Sequence, residues 1–454
     1  MDELTTRDLE SGSDAGHLTR RGLLQGAATG VLGSLWLSRA ASADAGGRWV
    51  REDGAVAGTY HPAFRRVRDA FVRNFAERGE VGASVCVELA GARVVDLWGG
   101  VADPVRDEPW GEDTLVHVWS CTKGATALCA HILASRGQLD LDAPVAHYWP
   151  GFAQNGKEGV TVAMLLSHQA GIPALRDPVP SGAFYDTAYM ADRLAAEAPF
   201  WAPGTRHGYH ALTFGFCVGE LVRRISGKTL GGFFRDEVGG PLGLDYWMGL
   251  PDSELHRLAP ILPAPPPEPP FSRFFLELIG DPTSIPFLIF FNSGGYLDPG
   301  VAESAAARAQ TEIGASGSFT NARSLARLYG ALANGGGGLV DAASFARMSS
   351  VASAGWDVMG SLPSRFALGF TKSMDNRRGD PGNQDSGILS EDAFGHSGFG
   401  GSIGFADPRA RLSFGYTMNQ QGPGTLLNPR GQSLIDATYA SLGYTEAGGT
   451  WSRG

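Results

Sequence analysis

The sequence predicts an α+β fold: one antiparallel sheet formed from both chain ends, flanked by helices, with a mostly helical lobe inserted between its halves. Three observations carry that prediction. Two strand-like runs, 82–89 and 92–98, succeed each other in the first part of the chain, separated by the short turn Ala90-Gly91. Two more, 402–406 and 411–418, lie near its end around Asp407-Pro408, with Leu412, Phe414, Tyr416 and Met418 alternating as in a half-buried strand. Between the two pairs the apolar spacing is mostly helical.

Residues 1–43 read as a twin-arginine signal: a polar leader, Arg20-Arg21, an apolar run from Ala27 to Leu37, and Ala41-Ser42-Ala43. The run is too short for the ~20 residues that span a bilayer, so 44–454 is expected to be exported already folded and to work outside the cytoplasm without a stable membrane span. Phe64, Val67, Ala70, Phe71 and Phe75 mark an amphipathic helix over 61–78. After the first strand pair, Ala125, Leu128, Cys129, Ile132 and Leu133 share one face of a helix that Gly137 stops. Shorter helices are expected over 161–168, ended by Gln169-Ala170-Gly171-Ile172-Pro173, and over 211–225, ended at Gly227.

Residues 262–270 hold six prolines in nine positions, which favours a stiff, extended stretch. Beyond it, 274–279 and 287–291 are apolar enough to be either ordinary core or the wall of an acyl pocket. A helix over 432–442 closes the fold.

Composition narrows the function classes. The chain has 454 residues, 43% hydrophobic and 19% charged, as in soluble globular proteins. Its formal net charge is −10 and no Lys or Arg block forms a basic stripe, which argues against nucleic acid as a partner. Four cysteines (Cys86, Cys121, Cys129 and Cys217) are too few and scattered for a disulfide framework, and free thiols are expected. His207 and His210 lie three apart, but no acidic or cysteine cluster completes a zinc set; neither metal nor cofactor is implied.

The chemistry is carried by Ser120-Cys121-Thr122-Lys123. The chain has only four lysines, at 123, 157, 228 and 372, against 34 serines, and chance predicts about 0.3 Ser-x-x-Lys matches per chain. Ser120 supplies the single one. A bare match is more often a cap serine with a surface lysine after it, so its context decides. Two further stretches provide it: Pro203 to Ala211 places Tyr209 at the entrance to a helix, and Gly395 to Gly401 places His396-Ser397-Gly398 in a glycine-rich strand.

A serine hydroxyl needs a base within hydrogen-bond reach to act as a nucleophile. Lys123 serves only if burial or a nearby cation lowers its pKa, and Tyr209 only if the Lys123 ammonium stabilises its phenolate. The sequence leaves that choice open.

In order and spacing these motifs resemble the serine β-lactamase and penicillin-binding-protein superfamily, in particular its class C β-lactamase-like group and the family VIII carboxylesterases. The likeness runs over roughly 60–442 and includes Trp119 to Gly124, Leu165 to Pro173, Pro203 to Glu220 and Gly395 to Asp407. It implies an α/β lobe over about 60–118 and 310–442 and a helical lobe over about 119–309. It further implies Ser120 as nucleophile, Lys123 and Tyr209 as the base system, His396-Ser397-Gly398 as the third motif, and the N–H groups of Ser120 and Phe399 as oxyanion donors.

Two departures from the lactamase pattern shift the expected substrate. Tyr209-His210-Ala211 stands where Tyr-x-Asn is usual, and His396-Ser397-Gly398 where Lys-Thr-Gly is usual. Both weaken recognition of an anionic amide, although His396 retains some positive charge below its ordinary pKa of ~6.5. The expected activity is a carboxylesterase acting on small esters through an acyl-enzyme. The alternatives are a β-lactamase, a D-aminopeptidase or DD-carboxypeptidase, or a non-catalytic binding or scaffold protein. Gly400-Gly401-Ser402-Ile403-Gly404 also fits a nucleophile elbow, but the residues after Ser402 are strand-like where that motif needs a helix.

Overall fold

The computed structural model describes residues 50–52, 56–298, 301, 304, 312–379, 382, 384–424 and 427–453. The twin-arginine signal expected over 1–43 lies outside them.

An eleven-stranded antiparallel sheet forms the frame. Its strands are β1 (Val50–Glu52), β2 (Val56–Tyr60), β3 (Gly82–Leu89), β4 (Ala92–Asp103) and β5 (Glu108–Pro109) from the first part of the chain. The later part adds β10 (Ser353–Asp357), β11 (Leu362–Phe366), β12 (Thr371–Lys372), β13 (Phe394–Ser397), β14 (Ile403–Asp407) and β15 (Leu412–Met418). The order is β1-β2-β4-β3-β15-β14-β13-β12-β11-β10, with β5 paired to β4. The two chain ends meet at β3 and β15, in register from Leu89↔Leu412 to Ala83↔Met418.

β15 differs from the expected half-buried strand: all seven of its residues are buried. Both faces of the sheet are covered. On one side the helix Ala322–Ala333 packs so closely that a Cβ at Gly415 would sit 2.2 Å from the Ala322 carbonyl oxygen. On the other, Phe405 stacks on Phe414 and on Tyr439 of the closing helix Pro429–Ser441. Strand alternation reports one covered face only where the other face meets water.

A second, four-stranded sheet is made of β6 (Leu115–His117), β7 (Tyr246–Met248), β8 (Leu258–Ala259) and β9 (Ser318–Thr320), in the order β7-β9-β6-β8. It matters because β6 runs straight into Ser120. The helices expected between the strand pairs form as Thr122–Ser135, Val162–Leu166 and Thr213–Ser226. The hydroxyl of Thr161 caps the second at the Met164 N–H, and Gly227 ends the third in the left-handed conformation with φ of 72°. All four cysteines are buried free thiols.

The two apolar stretches after the prolines are the helices Arg273–Gly280 and Ile285–Phe291, bent 65° against each other. Among the described residues no single helix is long and apolar enough to cross a membrane.

Candidate active site

Ser120 sits in a single 3-10 turn, Trp119–Cys121, at the head of the helix Thr122–Ser135. Trp119 takes a left-handed backbone, φ of 47°, which costs energy in a non-glycine residue and sharpens the corner between β6 and the helix. The corner is held by packing: the Trp119 ring lies 4.2 Å from His117 and 5.9 Å from Phe399. Below it, the Thr122 hydroxyl donates to the Trp119 carbonyl at 2.6 Å and accepts from the Ser318 N–H at 3.0 Å.

One helical turn on, Lys123 is fully buried. Its Nζ lies 3.1 Å from Ser120 Oγ, 2.6 Å from the Ala211 carbonyl oxygen and 2.9 Å from that of Ala315. No carboxylate pairs with it among the described residues, and burial holds its pKa well below the usual lysine range. A neutral amine has two N–H donors and one lone pair. The two carbonyls can only accept, so in that form they would use both donors and leave the lone pair for the Ser120 hydroxyl, whereas an ammonium would donate to all three oxygens.

Tyr209 closes the other side, its ring centroid 4.7 Å from Lys123 Nζ. Burial pushes its phenol above the ordinary tyrosine value, while a hydrogen bond with the Ser120 side chain pulls the other way. The phenol is therefore a neutral donor. Its ring stacks on Phe366 at 6.0 Å and meets His168 edge-on at 5.0 Å.

The neighbouring histidines are scaffold. His168 Nδ1 accepts the His210 N–H at 3.1 Å. His210 Nδ1 donates to the Gly208 carbonyl at 2.7 Å while its Nε2 accepts the Ile172 N–H at 3.1 Å. Burial lowers the pKa of His210 to about 4, so both its ring nitrogens are committed in the neutral form.

The third motif lies on β13 and the turn after it. A Cβ at Gly398 would stand 2.3 Å from the Val118 carbonyl oxygen, so glycine lets this strand end abut the Ser120 turn. Cys121 Sγ lies 3.4 Å from the His396 carbonyl and joins the two segments.

His396 corrects an expectation. It is 2% exposed, and burial, then the nearby Lys123, lower its pKa to about 3, so it carries no charge at neutral pH. Its Nδ1–H donates to the Ser397 carbonyl at 2.7 Å. The Ser402 of the apparent elbow is buried and leads into β14, a strand.

Ser120, Tyr209, His396, Ser397 and Phe399 line one cleft that opens to solvent. Among the described residues the Phe399 N–H, which lies outside any helix or strand, donates to no backbone carbonyl. The opposite wall is apolar, with Phe274, Ile289, Phe290 and Leu297 from the helices after the prolines and Met359, Leu362 and Phe366 from the β10–β11 hairpin. Those helices thus form a pocket wall with a partly exposed outer side. Among the described residues, Asp357 is the only formally charged side chain in the lining.

Sequence reasoning missed Asp357, which stands in no motif. It also missed the Ala211 and Ala315 carbonyls, because a backbone acceptor leaves no trace in residue type. Among the described residues, no group of three or more His, Cys, Asp or Glu side chains could hold a metal ion.

The antiparallel sheet and its helices, with a serine at a helix head against a buried lysine, define the β-lactamase/transpeptidase-like class of fold. The family model described as Beta-lactamase matches residues 67–438, and the chain belongs to that family. It is 36% identical over 381 residues to the Esterase/beta-lactamase LipL of Mycobacterium tuberculosis, covering 80% of this chain and 83% of that one. Among solved structures, a family VIII carboxylesterase superposes with a TM-score of 0.74 at 40% identity, covering 85% of this chain and 99% of the other. A penicillin-binding protein homologue from Caulobacter crescentus gives 0.76 at 37% identity, with 86% and 100% covered.

Proposed function

We propose that this enzyme is a serine carboxylesterase whose nucleophile is Ser120 and whose acylation base is the neutral amine of Lys123. The observation that carries the reading is the environment of Lys123 Nζ: two carbonyl oxygens, one serine hydroxyl and, among the described residues, no counter-charge. In the first step the Ser120 proton moves to Lys123 Nζ as Oγ bonds to the ester carbonyl carbon. The N–H groups of Ser120 and Phe399 receive the oxyanion, where each donor of this kind contributes about 2.7–4 kcal/mol. Collapse breaks the ester C–O bond, and the Tyr209 phenol protonates the departing alkoxide. Lys123, now an ammonium near the phenolate, returns the proton to Tyr209. Water then attacks the acyl-enzyme by the same route in reverse and frees Ser120.

The ester preference is supported by charge. A lactam or peptide carboxylate needs a cation, and among the described residues the cleft lining offers one carboxylate, Asp357, and a His396 whose pKa burial lowers to about 3. The relative from Mycobacterium tuberculosis is named both esterase and β-lactamase, so a cephalosporin belongs in the test. Short and long p-nitrophenyl esters, a chromogenic cephalosporin and a D-Ala-D-Ala peptide are offered to the enzyme and to Ser120→Ala. The expected result is ester turnover far ahead of the other two, abolished in the variant. Full activity of Ser120→Ala overturns the nucleophile, and a faster cephalosporin overturns the substrate.

Export through a twin-arginine signal in 1–43 belongs to the same proposal, supported by Arg20-Arg21 ahead of the apolar run.

A further inference from the structure

We propose that Asp357 is the positioning residue for Tyr209, holding its backbone in the site and tying it to the cavity wall made by the β10–β11 hairpin. This inference rests on the role given to Tyr209 above.

Asp357 ends β10 and is 2% exposed. No cation pairs with it among the described residues. A buried carboxylate without a counter-ion is costly unless donors saturate it, and here four do. The Tyr209 N–H lies 3.0 Å from Oδ1 and 3.2 Å from Oδ2. The N–H groups of Met359 and Gly360 reach Oδ1 at 2.9 and 3.0 Å, and the Ser364 hydroxyl donates to Oδ2 at 3.1 Å. Three of these donors belong to the hairpin and one to the loop that carries the tyrosine. The carboxylate is the joint between them.

A second tie runs alongside. Because the Ser364 hydroxyl donates to Asp357, its oxygen accepts from His207 Nε2 at 2.9 Å, and the Val358 N–H donates to the His207 carbonyl at 3.2 Å. His207 and Tyr209 are two residues apart on one loop, so both anchor it to the hairpin. The ring of Tyr209 then lies parallel to Phe366 of β11, with an interplanar angle of 2°. Met359, Gly360, Leu362, Ser364 and Phe366 line the cleft, so the clamp sets the phenol and the substrate wall in one frame. Displacing a proton donor by about 1 Å is enough to cost on the order of 10²-fold in rate.

The test uses the full chain and a short p-nitrophenyl ester, with Asp357→Ala, Asp357→Asn, Tyr209→Phe and the double variant Tyr209→Phe/Asp357→Ala. Asp357→Ala is expected to lower kcat about hundredfold and to raise KM by a clearly smaller factor, since the clamp holds the proton donor as well as one part of the substrate wall. Asparagine keeps an oxygen for the three N–H donors and is expected to recover kcat to within about tenfold of wild type. The double variant is expected to match Tyr209→Phe within about twofold, because residues acting through one another are not additive. If Asp357→Ala retains kcat, or if its loss multiplies with that of Tyr209→Phe, the positioning role is overturned while the tyrosine's stands. If Tyr209→Phe alone keeps full turnover, the reading of Tyr209 falls and takes this inference with it. Should the alanine variant not fold, an Asp357→Asn loss that multiplies with Tyr209→Phe contradicts the inference in the same way.

Discussion

Around Ser120 the cleft wall is buried and hydrogen-bonded, with Lys123 fully enclosed and His396 2% exposed. Across the cleft, the helices Arg273–Gly280 and Ile285–Phe291 present apolar side chains inward and leave Leu276, Ile279 and Phe291 52, 59 and 64% exposed. One named tie from this pair to the hairpin is the Ser361 hydroxyl on Glu277 at 2.9 Å. The contrast separates two jobs. Bond-making needs groups held in one geometry and one protonation state, and dense packing around polar atoms supplies that. Choosing an acyl group needs shape and apolar area, which a few aromatic and aliphatic side chains supply.

Substitutions on the two walls should therefore fail differently. Lys123→Met keeps the volume of the buried stem and removes the base, and kcat on any ester is expected to fall by about 10²–10⁴ with little change in KM. A loss confined to KM would place Lys123 in binding. On the opposite wall, Phe290→Ala opens the cleft where Phe290 meets Phe399 at 6.0 Å. Its kcat/KM for long-chain esters is expected to fall about tenfold or more, with short esters affected less; equal losses at all chain lengths would make Phe290 part of the chemistry. Phe291→Ser, on the exposed side of the same helix, is expected to shift stability by no more than about 0.5 kcal/mol and short-ester kcat less than twofold. A large change in either would show that the outer side of the helix supports the wall.

The same division explains what was legible in the sequence. Strands β3, β4, β14 and β15 were readable because apolar runs between Gly, Asp and Pro turn signals set their ends. The strands β10 to β12 were not, since Ser353 to Asp357 and Leu362 to Phe366 mix polar and apolar residues without a clean period. Ser120, Lys123, Tyr209 and His396-Ser397-Gly398 could be picked out as candidates from residue type, spacing and resemblance, and the structure sets Ser120, Tyr209, His396 and Ser397 on one cleft with Lys123 buried against Ser120. The protonation states could not, because they depend on burial. A histidine in a glycine-rich strand looks like a potential cation until its enclosure is known. Asp357 was silent for a related reason: its partners are mostly backbone N–H groups, which every sequence offers everywhere. The stretches 274–279 and 287–291 were ambiguous because core and pocket wall draw on the same residues.

The central claim is that Lys123 is a neutral amine in the resting enzyme, and the scarcity of lysine makes it directly measurable. With lysines only at 123, 157, 228 and 372, a spectrum of lysine-labelled enzyme contains four side-chain signals, and Lys123→Met assigns one of them. Titrated by NMR, the Lys123 signal is expected to change well below the ordinary value of about 10.4. Sign and activity agree: protonation removes the lone pair, so kcat/KM should rise with pH through that same midpoint. A Lys123 signal that titrates at or above the ordinary value, with the enzyme fully active at neutral pH, would contradict the account.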